Sequence, residues 1–255
     1  MEVFAVKFPR KTQKFDLFKT VVSSGFQFLD RDIVVVSSKF VSISEGSMLN
    51  LKHVKPSKKS QKIAHLYSMD KRIVEIVLRE ADRVLSAIPG FLLTIKDGML
   101  APNAGIDKSN SPRNHVILYP RKPFESADRL RTNFLHFLGM NVGIVISDSR
   151  LMPTRIGTTG IAIGVSGFEP VEDLRGHQDL FGHELQVTFK ATADDLATIA
   201  VFCMGEADES VPVVVVRGAT VKFSRRKLNA KDLTVDPRTD IYLRNLNSDK
   251  FVLVD

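Results

Sequence analysis

Residues 142–176 read VGIVISDSRLMPTRIGTTGIAIGVSGFEPVEDLRG. An apolar run, 142–146, gives way abruptly to Ser147-Asp148-Ser149-Arg150, then to a loop rich in Gly and Thr, then to a second apolar run at 161–165. Runs of about five apolar residues bounded by turn formers predict buried strands. A carboxylate just past the end of such a strand, Asp148, is expected to face a crevice. Gly157, Gly160, Gly164 and Gly167 would let backbone approach a ligand closely, because glycine has no Cβ. Asp, Ser, Arg and Thr in one turn supply a metal ligand, hydroxyls and a cation, a set that suits a phosphate with its metal ion. The same letters also describe an ordinary turn, and the stretch alone leaves both readings open.

Working outward, the N-terminal half gives a short strand at 3–6, a helix at 15–22 and a strand at 33–36. The last runs into Ser37-Ser38-Lys39 and then Ser42-Ile43-Ser44-Glu45-Gly46, which fits either a ligand edge or a helix cap. Residues 52–62 are basic and read as an exposed loop and helix start; no aromatic is interleaved there to stack on bases. The apolar stripe from Ile73 to Ile88 predicts a helix over 72–87, ended by Pro89-Gly90. Residues 91–95 read as a strand with a Lys96-Asp97-Gly98 hairpin turn behind it. Asn103 to Asn110 place a second aspartate, Asp107, after a glycine, in a pattern that also fits an Asx turn. A strand at 115–119, a helix at 126–138 closed by Gly139, a strand at 185–189, a helix at 194–204 and a strand at 212–216 complete the order. The irregular alternation predicts an α+β fold, with mixed, largely antiparallel sheets and flanking helices. We expect a single domain over 1–255, built whole or as two intertwined lobes, with 221–255 as a peripheral extension.

Composition narrows the partners. Lys and Arg number 36 against 29 acidic residues, a formal charge of +7 that favours anionic partners without choosing among them. Cys203 is the only cysteine, which excludes an intrachain disulfide and a cysteine-based zinc site. With no signal-peptide core and no apolar run near the roughly 18 residues of a membrane span, the expectation is a cytoplasmic protein with no membrane partner. There is no GxxxxGK[ST], no GxGxxG and no HExxH, and the six histidines show no metal spacing. His177 and His183 read as surface or cap residues, and Cys203 as a packed thiol. Three acidic points remain at predicted element ends: Asp107, Asp148 and the 206–209 cluster. Hard oxygen donors of this kind suit magnesium or manganese beside a nucleotide phosphate.

Taken together, several motifs carry a resemblance. They are NAGID-x-SN at 103–110, SDS at 147–149, GTTGIAIGVSG at 157–167, D-LRG--DL-G--L at 173–185, MGE at 204–206 and P-VVVRG at 212–218. As a set the chain resembles the coenzyme F420:L-glutamate ligase family. The resemblance implies a homodimeric ATP- or GTP-dependent acid–amino-acid ligase, with GTP as co-substrate. GTP would phosphorylate the terminal carboxylate of coenzyme F420-0, and L-glutamate would attack the acyl phosphate. A divalent metal, Mg2+ or Mn2+, is implied, with K+ as a further cation. By motif position Asp107, Asp148, Ser149 and Glu206 would serve the metal, and Asp148 and Arg155 the catalysis. Ser38, Lys39, Asn110 and Glu206 would hold the nucleotide. The resemblance leads us to expect Asp107 and Asp148 at one ion.

Three places depart from the family pattern. Lys7-Phe8-Pro9 stands for Gly-Leu-Pro, Ile43 for a phosphate-binding lysine, and Leu151-Met152 for Gly-Arg. The departures leave two alternatives: a divergent paralogue joining an amino acid to another acid, and a catalytically inactive nucleotide-binding homologue. The retained carboxylates argue against a nucleic-acid partner, whose phosphate backbone they would repel.

Overall fold

The computed structural model describes residues 1–236 and 238–244. In chain order its elements are β1 (Glu2–Val6), α1 (Leu17–Val22), β2 (Ile33–Ser37), α2 (Ser38–Glu45), β3 (Met48–Asn50), α3 (Lys58–Leu66), α4 (Lys71–Glu80), β4 (Arg83–Ile88), β5 (Phe91–Lys96) and β6 (Met99–Leu100). There follow β7 (His115–Ile117), α5 (Pro123–Leu138), β8 (Gly143–Leu151), β9 (Thr158–Ser166), β10 (Glu172–Asp173), β11 (Phe189–Lys190), α6 (Thr192–Met204) and β12 (Val213–Arg217). The fold is α+β, with largely antiparallel sheets, as expected. The chain divides into two compact units, each discontinuous in sequence. One comprises Met1–Arg10, Phe15–Val41 and Lys122–Leu233; the other comprises Lys11–Lys14, Ser42–Arg121 and Thr234–Asp255.

The first unit is organised by a five-stranded sheet in the order β1-β12-β2-β8-β9. Its centre is written as near-continuous Val and Ile, as a sheet covered on both faces requires. Val34, Val35 and Val36 of β2, Ile144 and Val145 of β8 and Val213 to Val216 of β12 are fully buried. Among the described residues only β2 and β8 pair in parallel, in the register Ile33↔Gly143 through Ser37↔Ser147. Helix α6 closes one core with Ala193, Leu196, Ala197, Ala200 and Met204. Its small residues let it lie close: a Cβ on Gly160 of β9 would sit 2.3 Å from the Ala197 carbonyl oxygen. Gly164 is hemmed in by Pro123 at the start of α5, 2.6 Å from where its Cβ would be. These two glycines therefore serve packing of the protein on itself, not approach to a ligand. Asp32, buried before β2, accepts paired bonds of 2.8 Å from the Arg217 guanidinium, which fastens β12 to the start of β2. Within 221–233, Phe223 bridges to Phe168 and Leu228 is buried, while residues 237 and 245–255 of the expected extension lie outside the described residues.

The second unit packs α3 and α4 against the β4-β5-β6 sheet around Leu51, Ile63, Val74, Val77, Leu92 and Val116. Here the sequence reading needs correction. The helix expected over 72–87 stops at Glu80, and 83–88 is strand β4, paired antiparallel with β5. Val84, Leu85 and Ile88 fit a helical stripe, but the Pro89-Gly90 turn lets them pair with the β-rich run behind it, and cross-strand pairing prevails over local pattern. Asp97 and Gly98 both have positive φ, 51° and 76°, as a tight two-residue hairpin requires. A second correction concerns 185–189, of which only Phe189 enters a strand, β11. No helix among the described residues is long and apolar enough to cross a membrane.

Candidate active site

Strand β8 does not end where its apolar run ends. It continues through Ser147, Asp148, Ser149, Arg150 and Leu151, paired with β9 after a bulge between Ile146 and Ser147. Asp148 therefore sits inside a strand and not in a loop beyond it. A rigid ladder holds a side chain in place better than a loop does, and a bulge next to it re-aims the residues that follow. Neighbouring residues on a strand point to opposite faces, and Asp148 and Ser149 accordingly find different partners.

Asp148 forms the first group. Its Oδ1 accepts the Ser38 hydroxyl at 2.9 Å, and its Oδ2 accepts Arg150 Nε at 3.1 Å. Ser38 is the first residue of α2, reached because β2 passes into that helix without a loop. The parallel pairing of Ser37 with Ser147 brings the end of β2 beside the middle of β8. Arg150 is 4% exposed, so its charge is compensated inside the protein. Lys39 follows Ser38 in the first turn of α2 and is half-buried.

Glu206 forms the second group. Its Oε1 accepts the Ser149 hydroxyl in a short bond and the Thr158 hydroxyl at 2.9 Å. The segment leaves α6 at Gly205, whose φ of 71° suits glycine and whose Cβ would fall 2.1 Å from Glu209 Cδ. Ser147 Oγ reaches Met204 Sδ at 3.8 Å, fixing the end of α6 over β8. Arg155 is exposed in the β8–β9 hairpin connection. At the other end of α6, Asp194 accepts the Ala162 N–H at 2.8 Å, and burial pushes its carboxyl pKa up.

Asp107 and Asn110 belong to the second unit. Before Asp107 the chain makes a left-handed turn, with φ of 53° at Asn103, 54° at Ala104 and 68° at Gly105. Ala and Asn rarely adopt such angles, so the surroundings must enforce them. Asn103 Oδ1 accepts Leu92 N–H at 2.9 Å, the Ala104 N–H donates to Thr94 Oγ1 at 2.8 Å, and Thr94 donates to the Ala101 carbonyl. A Cβ on Gly105 would meet Tyr119 Cδ2 at 2.5 Å. Asp107 is then pinned by backbone bonds in both directions with Ile117, of 3.0 and 2.8 Å. Its carboxylate closes an Asx turn on the Ser109 N–H at 2.6 Å and takes the Ser109 hydroxyl at 2.9 Å. Asn110 follows, exposed, with a φ of 53°.

Of the residues named from sequence, the structure thus joins Ser38 with Asp148 and Ser149 with Glu206. Arg150 and Thr158, which the sequence offers as a cation and a hydroxyl of this stretch without a role of their own, take part as well. Arg150 is hidden because a buried guanidinium looks like any loop cation in a sequence. Thr158 becomes visible once β8 is extended, since register sets it opposite Leu151, two residues beyond Ser149. The donors are carboxylates and hydroxyls, hard oxygens of the kind magnesium and manganese accept. Among the described residues no group of three or more His, Cys, Asp or Glu side chains could hold a metal ion. A cation in the first unit would thus draw on hydroxyls and on a bound phosphate as well as carboxylates.

Comparison with known proteins adds to this geometry. The family model of F420-0:gamma-glutamyl ligase matches residues 6–218. The chain is 34% identical over 245 residues to the coenzyme F420:L-glutamate ligase of Methanopyrus kandleri, covering 95% of this chain and 97% of that protein. It is 40% identical over 217 residues to that of Methanocaldococcus jannaschii, covering 85% and 86%. With that of Archaeoglobus fulgidus it shares 37% over 221 residues, covering 87% and 89%.

Proposed function

Because the chain belongs to the F420-0:gamma-glutamyl ligase family, we propose that it joins L-glutamate to coenzyme F420-0 through an amide bond, using GTP. The observation that carries this reading is the match over residues 6–218 together with the two oxygen-rich groups built on β8. A carboxylate is a poor electrophile, so amide formation in water needs activation. The terminal carboxylate oxygen of F420-0 attacks the γ-phosphorus of GTP, and GDP departs. The glutamate nitrogen then attacks the acyl carbon, loses a proton and expels inorganic phosphate.

In this reading Ser38 and Lys39, in the first turn of α2, face the nucleotide phosphates, where the positive end of the helix dipole favours anions. Asn110 contacts the nucleotide, and Arg155 carries positive charge to the transferring phosphoryl group. Asp148, Ser149 and Glu206 in the first unit, and Asp107 in the second, would each offer oxygen to divalent cation, Mg2+ or Mn2+, with K+ as a further ion; Thr158 steadies Glu206. Such a cation, when bound, offsets the phosphate charge that builds up during transfer. The chain would work as a homodimer. In support, the 172–190 ribbon exposes Leu180 and Phe181 almost completely at its tip, and large exposed apolar side chains mark contact surfaces.

Mass spectrometry tests the reading. Purified protein with F420-0, glutamate, Mg2+ or Mn2+ and GTP should yield F420-0 extended by glutamate, with GDP and phosphate released in equal amounts. Asp148→Asn should abolish turnover in protein that circular dichroism shows to be folded, and it should lower the thermal midpoint, because the buried Arg150 guanidinium loses its charged partner. No extension with any nucleotide would overturn the proposal. One observation favours a second reading, a paralogue acting on another acid: Ile43 is buried in α2, so no cation stands where the family pattern has lysine. Extension of a different acid, with F420-0 refused, would establish that alternative.

A further inference from the structure

We propose that Arg150 is a built-in competitor of the divalent cation at Asp148 and sets how weakly this site is loaded. This rests on the metal-dependent reading above and goes beyond it. The Arg150 guanidinium is 4% exposed and donates through Nε to Asp148 Oδ2 at 3.1 Å, while Ser38 occupies Oδ1 at 2.9 Å. Both carboxylate oxygens therefore already serve protein donors, and one donor carries a full charge. Arg150 lies two residues along the same strand, its backbone fixed in the β8–β9 ladder opposite Thr159, so its side chain emerges on the same face as Asp148. A cation arriving at Asp148 meets a carboxylate whose charge is spent on the guanidinium, and it must sit within a few ångströms of that guanidinium. Like charges at such distances, in surroundings that exclude water, repel far more strongly than in bulk solvent. Glu206 differs, since the described donors to it are the uncharged hydroxyls of Ser149 and Thr158. The two carboxylates of the first unit are thus unequal: Glu206 is open to a cation, whereas Asp148 is guarded.

Calorimetric titration of the metal-stripped full chain with Mn2+ tests this, in the absence and presence of GTP. Arg150→Gln removes the charge and keeps an N–H donor for Asp148, and Arg150→Met removes both. Each should bind Mn2+ at least tenfold more tightly than the native protein. The gain should vanish in the double variant with Asp148→Asn, and Arg150→Lys, which keeps the charge, should stay within threefold of native. Should Arg150→Met fail to fold, Arg150→Gln and Arg150→Lys still decide the matter. Unchanged or weaker Mn2+ binding in Arg150→Gln, with the native protein binding Mn2+, overturns this inference and leaves the metal-dependent ligase standing. Failure of every variant to bind Mn2+ with GTP present overturns both.

Discussion

A methyl group on Gly160 would have to share space with the backbone of α6. Its position, 2.3 Å from the Ala197 oxygen, is one that no side-chain rotation can relieve. Gly160→Ala should therefore destabilise the protein by about 1–3 kcal/mol, as overpacked sites do, in urea denaturation followed by circular dichroism. A loss confined to ligand affinity would instead return Gly160 to the role its loop-like sequence suggested. Ile43 makes the opposite point. A lysine there looks from sequence alone like a restored phosphate ligand that tightens nucleotide binding or leaves it unchanged. Ile43 is 8% exposed, however, and an ammonium in its place would be stripped of water. Ile43→Lys should cost on the order of 3 kcal/mol, the equivalent of a lysine pKa depressed by about two units. A drop in the thermal midpoint would show this, and an unchanged midpoint with tighter GTP binding would refute it. What sequence could not tell at this scale is direction: Asp148, Ser149 and Glu206 were legible as chemistry, but which partner each finds depends on the opposite faces of β8 that Asp148 and Ser149 occupy.

At the scale of elements, the α3–α4 pair shows how one carboxylate can hold a helix start. Glu75, on α4, accepts the Ser57 N–H at 2.8 Å, and Ser57 in turn caps α3 through the Ser60 N–H at 3.2 Å. Arg79 adds a bond of 2.9 Å from one turn along. The bonds from Ser57 come first, and with Arg79 they hold the Glu75 pKa at about 2, down from 4.5. A lowered carboxylate pKa means that the unfolded chain takes up the proton first. The stabilisation is therefore complete above about pH 5 and lost as pH falls towards 2. Glu75→Gln should be roughly 1–3 kcal/mol less stable than native at pH 7, and the gap should close as pH falls to 2. A gap independent of pH would mean that packing, not charge, is at work. The helices and central strands were readable because each carries its own periodicity and stop signals. Strands such as β4, and the extension of β8 through Ser147 to Leu151, were not, because their conformation is decided by a partner strand. The left-handed turn at Asn103 to Gly105 was equally hidden, since only contacts with Leu92, Thr94 and Tyr119 enforce it.

For the molecule as a whole, the ribbon between β10 and β11 is the feature least explained by the first unit's own core. Its backbone ladder runs outward through Gln178 and Glu184 to a turn held by the Asp179 carboxylate. Leu180 and Phe181 at the tip contribute almost nothing to burial in the single chain. If they serve a second copy, the double substitution Leu180→Ser and Phe181→Ser should leave the folding midpoint unchanged and weaken self-association at least tenfold in analytical ultracentrifugation. Unaltered association would assign the contact elsewhere. The sheet of this unit also ties β1 to a point far downstream, since among the described residues it pairs only with β12, Glu2 opposite Arg217. Synthesis proceeds at about 5–20 residues per second, so β1 would leave the ribosome roughly 10–40 seconds before its partner exists. During that interval its backbone amides and carbonyls have no ladder to join. The nascent chain therefore passes that interval with β1 an open strand, a period in which a chaperone or a neighbouring nascent chain can reach it first.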